Sequence, residues 1–412
     1  MNIAVIGSGI SGLSASYLLS KKHHVDLFER EDHFGGHSHT IDLLIEKKKV
    51  SVDIGFIVFN HKTYPNLIKF FEKIGVEIEK SDMSFSVSVE NTNYEYCGKG
   101  ISGIFTNKSN LLNLKFIKMF FEIIKFYKKC DQIKNYNEKT TLGEFLKKNN
   151  YSNLFINYHL IPMVSAIWSM PPYEASSMPL SFFLNFFQNH GLFKLSKRPT
   201  WYTVSNRSRT YVNKVLEKIS GEYFKNYGIK KIKRLDNSVR IFYGKNNEFF
   251  DYDKVVIATH ADEAISLIEN PLDHEKEILK KFNYRKNIAI IHTDETIMPN
   301  NRKAWCSWNS YVDPKDLNKS SLTYWLNRLQ NLKVEKNLFL SLNPIKNISE
   351  TEILKKVEFT HPYYDQEALD NQAKLKNIQN IKNILFCGSY FGYGFHEDGI
   401  KSSIEMTKSL DD

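Results

Sequence analysis

The first thirty residues of this 412-residue chain constrain its fold more than any other stretch. Ile3-Ala4-Val5-Ile6 is a short β-branched run, the pattern of a strand buried on both faces of a parallel sheet. Gly7-Ser8-Gly9-Ile10-Ser11-Gly12 follows at once, and Leu13–Leu19 then carries apolar residues at helical spacing. Gly7 permits a tight turn, Gly9 lets a diphosphate approach the backbone, and Gly12 allows helix and strand to pack closely. The N–H groups that open the helix, around Ile10 and Ser11, would face the phosphates. A second strand, Val25–Phe28, ends in Glu29, where a carboxylate would accept hydrogen bonds from an adenosine ribose. A bare GxGxxG is weak evidence and could be a glycine turn without a ligand. Strand, motif, helix, strand and terminal acid in one unit point to a dinucleotide.

The length suggests two or three lobes, or one discontinuous pair. Hydrophobic residues make up 42% and charged residues 25%, which is globular composition. The 56 Lys and Arg exceed the 46 Asp and Glu, giving +10, but the lysines are scattered. Nucleic acid would want a concentrated basic stripe, so no nucleic-acid partner is expected, whereas contact with an anionic membrane surface stays open. Cys97, Cys130, Cys306 and Cys387 lie far apart without a CxxC, which argues for a reducing compartment. No signal-peptide pattern precedes Ile3, and no run of about 18 apolar residues occurs. The expected location is cytoplasmic, with peripheral attachment at the inner membrane face left open.

Gly35-Gly36 comes shortly after Glu29-Arg30, in Phe34-Gly35-Gly36-His37-Ser38-His39-Thr40. A nicotinamide fold does not need this second glycine pair, but a flavin fold of the glutathione-reductase type does, to fold a loop across the diphosphate of FAD. Here the sequence resembles the flavin amine oxidase superfamily, and Val52-Asp53-Ile54-Gly55-Phe56 resembles the D-x-G segment its members carry beside the flavin. A second GxGxxG, Gly98–Gly103, follows an alternating polar–aromatic strand and precedes what reads as a loop. It is expected to be a turn rather than an NAD(P)H site.

Lys115, Lys118, Glu122, Lys125 and Lys129 recur at helical spacing among large apolar residues, which predicts an amphipathic helix over 111–129. It would either pack on a core or settle on anionic lipid. Residues 161–193 are rich in aromatics and broken by prolines, and suit either a core or the wall of a pocket for a long apolar substrate. Val239–Tyr243 and Tyr252–Ala261 read as strands, as does Ile384–Tyr390, which leads into a glycine–aromatic run and a helix over 401–409. In the superfamily such strands close the FAD sheet. The resemblance therefore implies contacts from Ile229 to the adenine, and from Ala258, Gly388 and Ser389 to the cofactor. Backbone N–H groups of Gly399 and Ile400 are the expected donors to the flavin's N1–C2=O edge.

The motifs Gly35–Thr40, Asp53–Asn60, Tyr64–Asn66, Met83–Ser88, Arg198–Trp201, Phe359–Pro362 and Gly392–Gly399 together resemble one bacterial branch of that superfamily. Its members are FAD-binding oxidoreductases that accompany cyclopropane-fatty-acid-synthase-like lipid methyltransferases. The resemblance implies FAD, hydride transfer from a substrate carbon to flavin N5, an apolar or acyl-lipid substrate, and a lipid methyltransferase partner. It places Tyr393 where amine oxidases carry a cage tyrosine, and His396 and Glu397 as candidate acid and base. His37 and His39 form an H-x-H without a third ligand nearby, so no metal is expected. An amine oxidase on a small amine and a flavin-binding partner without turnover are the competing readings.

The expected architecture is α/β: a Rossmann-type, glutathione-reductase-like FAD-binding domain from residues 1–60, 206–270 and 381–412. Residues 61–205 and 271–380 would form an α+β substrate domain of mixed sheet and helices.

Overall fold

A computed structural model describes residues 1–134, 139–194 and 198–410. The β-branched run becomes β1 (Asn2–Ile6), which leads through the glycine turn into α1 (Ile10–Leu19) and back into β2 (His24–Glu29). β1 is the middle of a five-stranded, all-parallel sheet in the order Tyr223–Lys225, β2, β1, Lys254–Ile257, Ile384–Phe386. Ile3, Ala4 and Val5 have no exposed surface, as expected of a strand covered on both faces. Three distant stretches of the chain thus supply one sheet, the first by local contacts and the others by long-range pairing.

A three-stranded antiparallel meander, Lys231–Arg234, Val239–Tyr243 and Glu248–Tyr252, lies between two of those parallel strands in sequence. The second large element is a mixed seven-stranded sheet in the order Ile353–Tyr363, Asn283–His292, Phe339–Leu342, Ser321–Trp325, Trp308–Val312, Phe85–Val89, Glu95–Cys97. Only the pair Trp308–Val312 and Phe85–Val89 runs parallel. Helices Leu114–Gln132, Ile161–Trp168 and Leu180–Asn189 pack as a group around Phe126, Phe155, Phe183 and Phe187, which are completely buried.

The closing helix runs His396–Lys408, five residues earlier than the apolar pattern alone suggests. It begins inside the glycine–aromatic run because Asp398 accepts the Phe395 N–H at 3.0 Å and caps the first turn. It packs along α1: a Cβ on Gly399 would stand 2.7 Å from Ser11 Oγ, and Ser403 Oγ donates to Ser11 O at 2.8 Å. The second GxGxxG is not a plain loop, since a short helix, Gly100–Ile104, starts within it. That helix follows Glu95–Cys97, the edge strand of the mixed sheet, and is remote from the parallel sheet. Gly103 is needed there because a Cβ would meet Cys97 O at 2.7 Å.

Candidate functional site

Both sheets open onto one cavity of about 830 Å³. One end is polar and built on the glycine turn. Gly7 takes a positive φ of 97°, which glycine adopts without strain. A Cβ on Gly12 would stand 1.8 Å from Gly7 O, so the turn and α1 can close only without one. Gly9 differs: an added Cβ would meet nothing within 4 Å, because the residue faces the cavity. The glycine doublet folds back over this turn. Gly35 N–H donates to Ser8 O at 3.1 Å, and a Cβ on Gly36 would lie 3.1 Å from Gly9 Cα. Ser8 also donates through its N–H (2.9 Å) and Oγ to Glu29 Oε2, while Glu29 Oε1 accepts the Glu31 N–H at 3.0 Å. The carboxylate at the end of β2 is thereby fixed at the wall with lone pairs to spare.

Gly7, Gly9, Ile10, Ser11, Glu29, Arg30, Gly36, His37, Gly55, Phe56, Ile229, Ala258, Gly388 and Ser389 line the cavity, as do Tyr393 and His396. Arg30 is anchored by Glu263, its Nη1 donating to Oε1 at 2.6 Å. His37 stacks on Phe359 with centroids 5.2 Å apart, and its Nε2 is buried without a partner. Burial, reinforced by His260, lowers the His37 pKa to about 4, so the ring is neutral at ordinary pH. An open face on Gly9, a fixed acid at the end of β2 and an unsatisfied ring nitrogen are what a bound dinucleotide would use.

Other expected site residues stand behind this wall and act by bracing it. Asp53 is buried among the strand pair Thr40–Ile45 and Lys48–Asp53; it accepts from Thr40 Oγ1 (2.6 Å), Ser208 N–H (2.8 Å) and Ser208 Oγ (2.8 Å). The D-x-G segment therefore reaches the cavity through Gly55 and Phe56, not through the acid. Gly55 is required because a Cβ would lie 2.1 Å from His37 O. Ser38 points inward, hydrogen-bonded to Tyr211 and to His396 Nε2 (2.9 Å). Gly399 and Ile400 are corrected as flavin donors: the earlier start of the last helix puts them in its second turn, where the Gly399 N–H already bonds Phe395 O at 3.1 Å. The N–H groups left without helical partners at that end are those of His396, Glu397 and Asp398.

The candidate acid and base are likewise reassigned. Glu397 accepts from the Asn66 N–H, Asn66 Nδ2 and Leu67 N–H at 2.7–3.1 Å, capping the helix Pro65–Ile74 outside the cavity. His396 lines the wall, but Phe56 stacks on it at 3.6 Å and 13°, and burial lowers its pKa well below the usual value. With Nε2 held by Ser38 it is a neutral brace. Burial raises the Asp398 pKa to about 7. Tyr393 keeps its place at the wall, and its carbonyl accepts from Trp168 Nε1 at 3.4 Å.

Met163, Ile167, Trp168, Phe186 and Leu192 form the opposite, apolar end, together with Tyr64, Trp201 and Tyr324. The proline-broken stretch is both things the sequence allowed: Phe183 and Phe187 are core, and their neighbours are cavity wall. Around Tyr393 the rings touch one another, Phe182 at 4.9 Å and Phe186 at 5.5 Å. His190 stacks on Phe186 at 3.9 Å, and burial lowers its pKa to about 4. His361 also lines the cavity. Sequence reasoning missed Tyr211, Ser208, His260 and Gln330, whose side-chain amide accepts from the Asp53 N–H at 2.9 Å and donates to Asp53 O at 2.7 Å. Only His260 carried a local signal, just past the parallel-sheet strand Lys254–Ile257.

A family model described as an NAD(P)-binding Rossmann-like domain matches residues 5–74. No curated protein matches the chain. Among solved structures, a CLA-producing fatty acid isomerase from P. acnes superposes with a TM-score of 0.68 at 14% identity, over 99% of this chain and 98% of that one. Putrescine oxidase with bound putrescine gives 0.69 at 12% (100% and 99%). Cyclohexylamine oxidase from Brevibacterium oxydans IH-35A gives 0.66 at 14% (100% and 99%). Likeness at these identities establishes the shared fold: a Rossmann-like dinucleotide-binding domain joined to a second domain of mixed sheet.

Proposed function

We propose that this chain is an FAD-dependent oxidoreductase that takes a hydride from an uncharged, apolar substrate, an acyl lipid or another long hydrocarbon chain. The observation that carries the reading is one continuous cavity with a dinucleotide cradle at one end and an aromatic, aliphatic chamber at the other. The glycine-doublet loop folded over the first turn supports FAD over a nicotinamide cofactor. Bound FAD would supply the two-electron acceptor.

The protein's share is positioning and exclusion of water. Glu29, Gly9 and the start of α1 would hold the adenosine and diphosphate, while the wall from Gly388 to His396 bounds the middle of the cavity. The helix N-terminus at His396 brings partial positive charge to that wall, which would favour negative charge on a bound flavin as it takes up electrons. His37, His190 and His396 are neutral at ordinary pH and add no charge to the chamber.

Neighbours of this fold are named for fatty acid isomerisation and for amine oxidation. The chamber supports the first class of substrate. Among the described residues, the carboxylates that line the cavity are Glu29, Glu31, Asp32, Glu263 and Glu358, and none of them comes from the Met163–Leu192 stretch that supplies Trp168 and Phe186. The test is anaerobic bleaching of the reconstituted flavoprotein with fractionated lipids, followed by mass analysis for a product lighter by two hydrogens. Bleaching by small amines, with peroxide on reoxidation and no response to lipids, would transfer the assignment to an amine oxidase.

A further inference from the structure

Of the fourteen large apolar side chains exposed among the described residues, five fall between residues 101 and 121. Leu112 is 89% exposed, Leu114 81%, Ile101 73%, Phe121 61% and Leu111 51%. Leu111 and Leu112 end a 3₁₀ turn, Lys108–Leu112, that feeds the helix Leu114–Gln132. On that helix Phe116, Met119, Ile123, Phe126 and Tyr127 turn inward and satisfy the core. The outward stripe reads Leu114, Lys118, Phe121, Lys125, Lys128, at steps of four, three, four and three. The short helix that carries Ile101 is fastened alongside by Phe105, whose ring lies 5.9 Å from those of Phe116 and Phe120.

Seven lysines and one carboxylate lie between Lys99 and Lys129. The carboxylate, Glu122, is buried and bonded to Ser152, so it neutralises nothing outside. Exposed leucines and a phenylalanine set among lysines, with one outward acid, Asp131, only in the last turn of the helix, match a surface that is apolar below and anionic above. A second copy of this chain would bring two lysine-bearing faces together, and an ordinary protein partner would need acids interleaved with apolar pockets. We propose that this face docks on an anionic lipid bilayer, with Leu111, Leu112, Leu114 and Phe121 entering the headgroup region and Lys115, Lys118, Lys125 and Lys128 pairing with lipid phosphates. The inference does not depend on the reaction assigned above.

The experiment is flotation of the purified full-length protein with phosphatidylcholine vesicles, with and without phosphatidylglycerol. Binding to the anionic vesicles should exceed binding to neutral ones at least about tenfold and fall with added salt, each neutralised lysine near the surface lowering it by about fivefold. The variant L112S/L114S/F121S and the variant K115Q/K118Q/K125Q/K128Q should both lose this binding while keeping the wild-type melting temperature, since every altered side chain is exposed. Failure of the wild type to float with anionic vesicles, or unchanged flotation of both variants, would overturn the proposal. So would a dimer seen by light scattering that the triple-serine variant dissociates, because the face would then belong to a second copy.

Discussion

The two ends of the cavity are specified in different ways. The cradle end depends on the absence of atoms: Gly7, Gly12, Gly36 and Gly55 each stand where a Cβ would collide with backbone or force a left-handed conformation. The chamber end depends on the presence of atoms, Trp168, Phe186 and Leu192 filling space from separate segments. Backbone against backbone leaves no rotamer to adjust, whereas an aromatic wall can repack around a new volume. The cradle should therefore be intolerant and specific, and the chamber tolerant and class-selective.

Gly12 gives that contrast its largest consequence. Gly12→Ala puts a methyl 1.8 Å from Gly7 O, with no side chain able to give way. The expected cost is about 4 kcal/mol or more, read as a fall in thermal midpoint or as loss of soluble protein. A chamber change such as Ile167→Ala, at a half-buried wall position, should cost less than about 2 kcal/mol. Near-equal losses would break the comparison.

Acid should strike through the buried histidines at both ends of the cavity, His37 and His396 at the cradle and its wall, His159 and His190 towards the chamber. Burial holds His159 at about 3 and His190 at about 4. Tyr96 OH donates to Tyr158 O, so it accepts from His159 Nδ1, leaving Nε2 to accept from Tyr127. A second ring proton finds an acceptor there only if the Tyr127 hydroxyl turns to the weak acceptor Met163 Sδ at 3.7 Å. The unfolded state binds protons near pH 6.5 and the folded state does not, so stability is complete above that pH and is lost as pH falls towards 4. A loss of at least about 2 kcal/mol between pH 6.5 and 4.5 is expected in denaturant titrations. H159Q/H190Q should lessen that slope; an unchanged slope would place the sensitivity in the cradle-side histidines.

How far the site was legible in the sequence follows the same division. The β1–α1–β2 unit could be read because all its contacts fall within about thirty residues and the glycines announce them. Asp53 was misjudged because its partners Ser208 and Gln330 are 155 and 277 residues away, and nothing local marks them. Gly399 was misplaced for a related reason. A glycine near a helix start looks like a loop until the facing Ser11 and Ile10 show that it is a packing residue. The lysine period over 111–129 revealed the helix but not which apolar residues stay outside, since that depends on what lies beneath.

Glu397 carries a smaller expected effect. It caps Pro65–Ile74 through three N–H contacts and does not touch the cavity. Glu397→Gln should cost about 1 kcal/mol and leave the flavin spectrum and the pH dependence of turnover unaltered. Collapse of turnover at an unchanged melting temperature would return this residue to the chemistry.

Gly9→Ala should have the least effect on stability and the most direct bearing on the cofactor. Gly9 has φ of −62°, which any residue adopts, and its Cβ would enter space free of protein atoms to 4 Å. The apoprotein should melt within about 0.5 kcal/mol of wild type, like any substitution that touches nothing. If a diphosphate lies against this turn, that same methyl occupies its place, and retained flavin should fall by at least about tenfold, as measured by absorbance after desalting. Gly12→Ala and Gly9→Ala thus separate two uses of glycine three residues apart, one for closing the fold and one for leaving room beside it. Full flavin retention in Gly9→Ala would move the diphosphate off this turn while leaving the fold assignment intact.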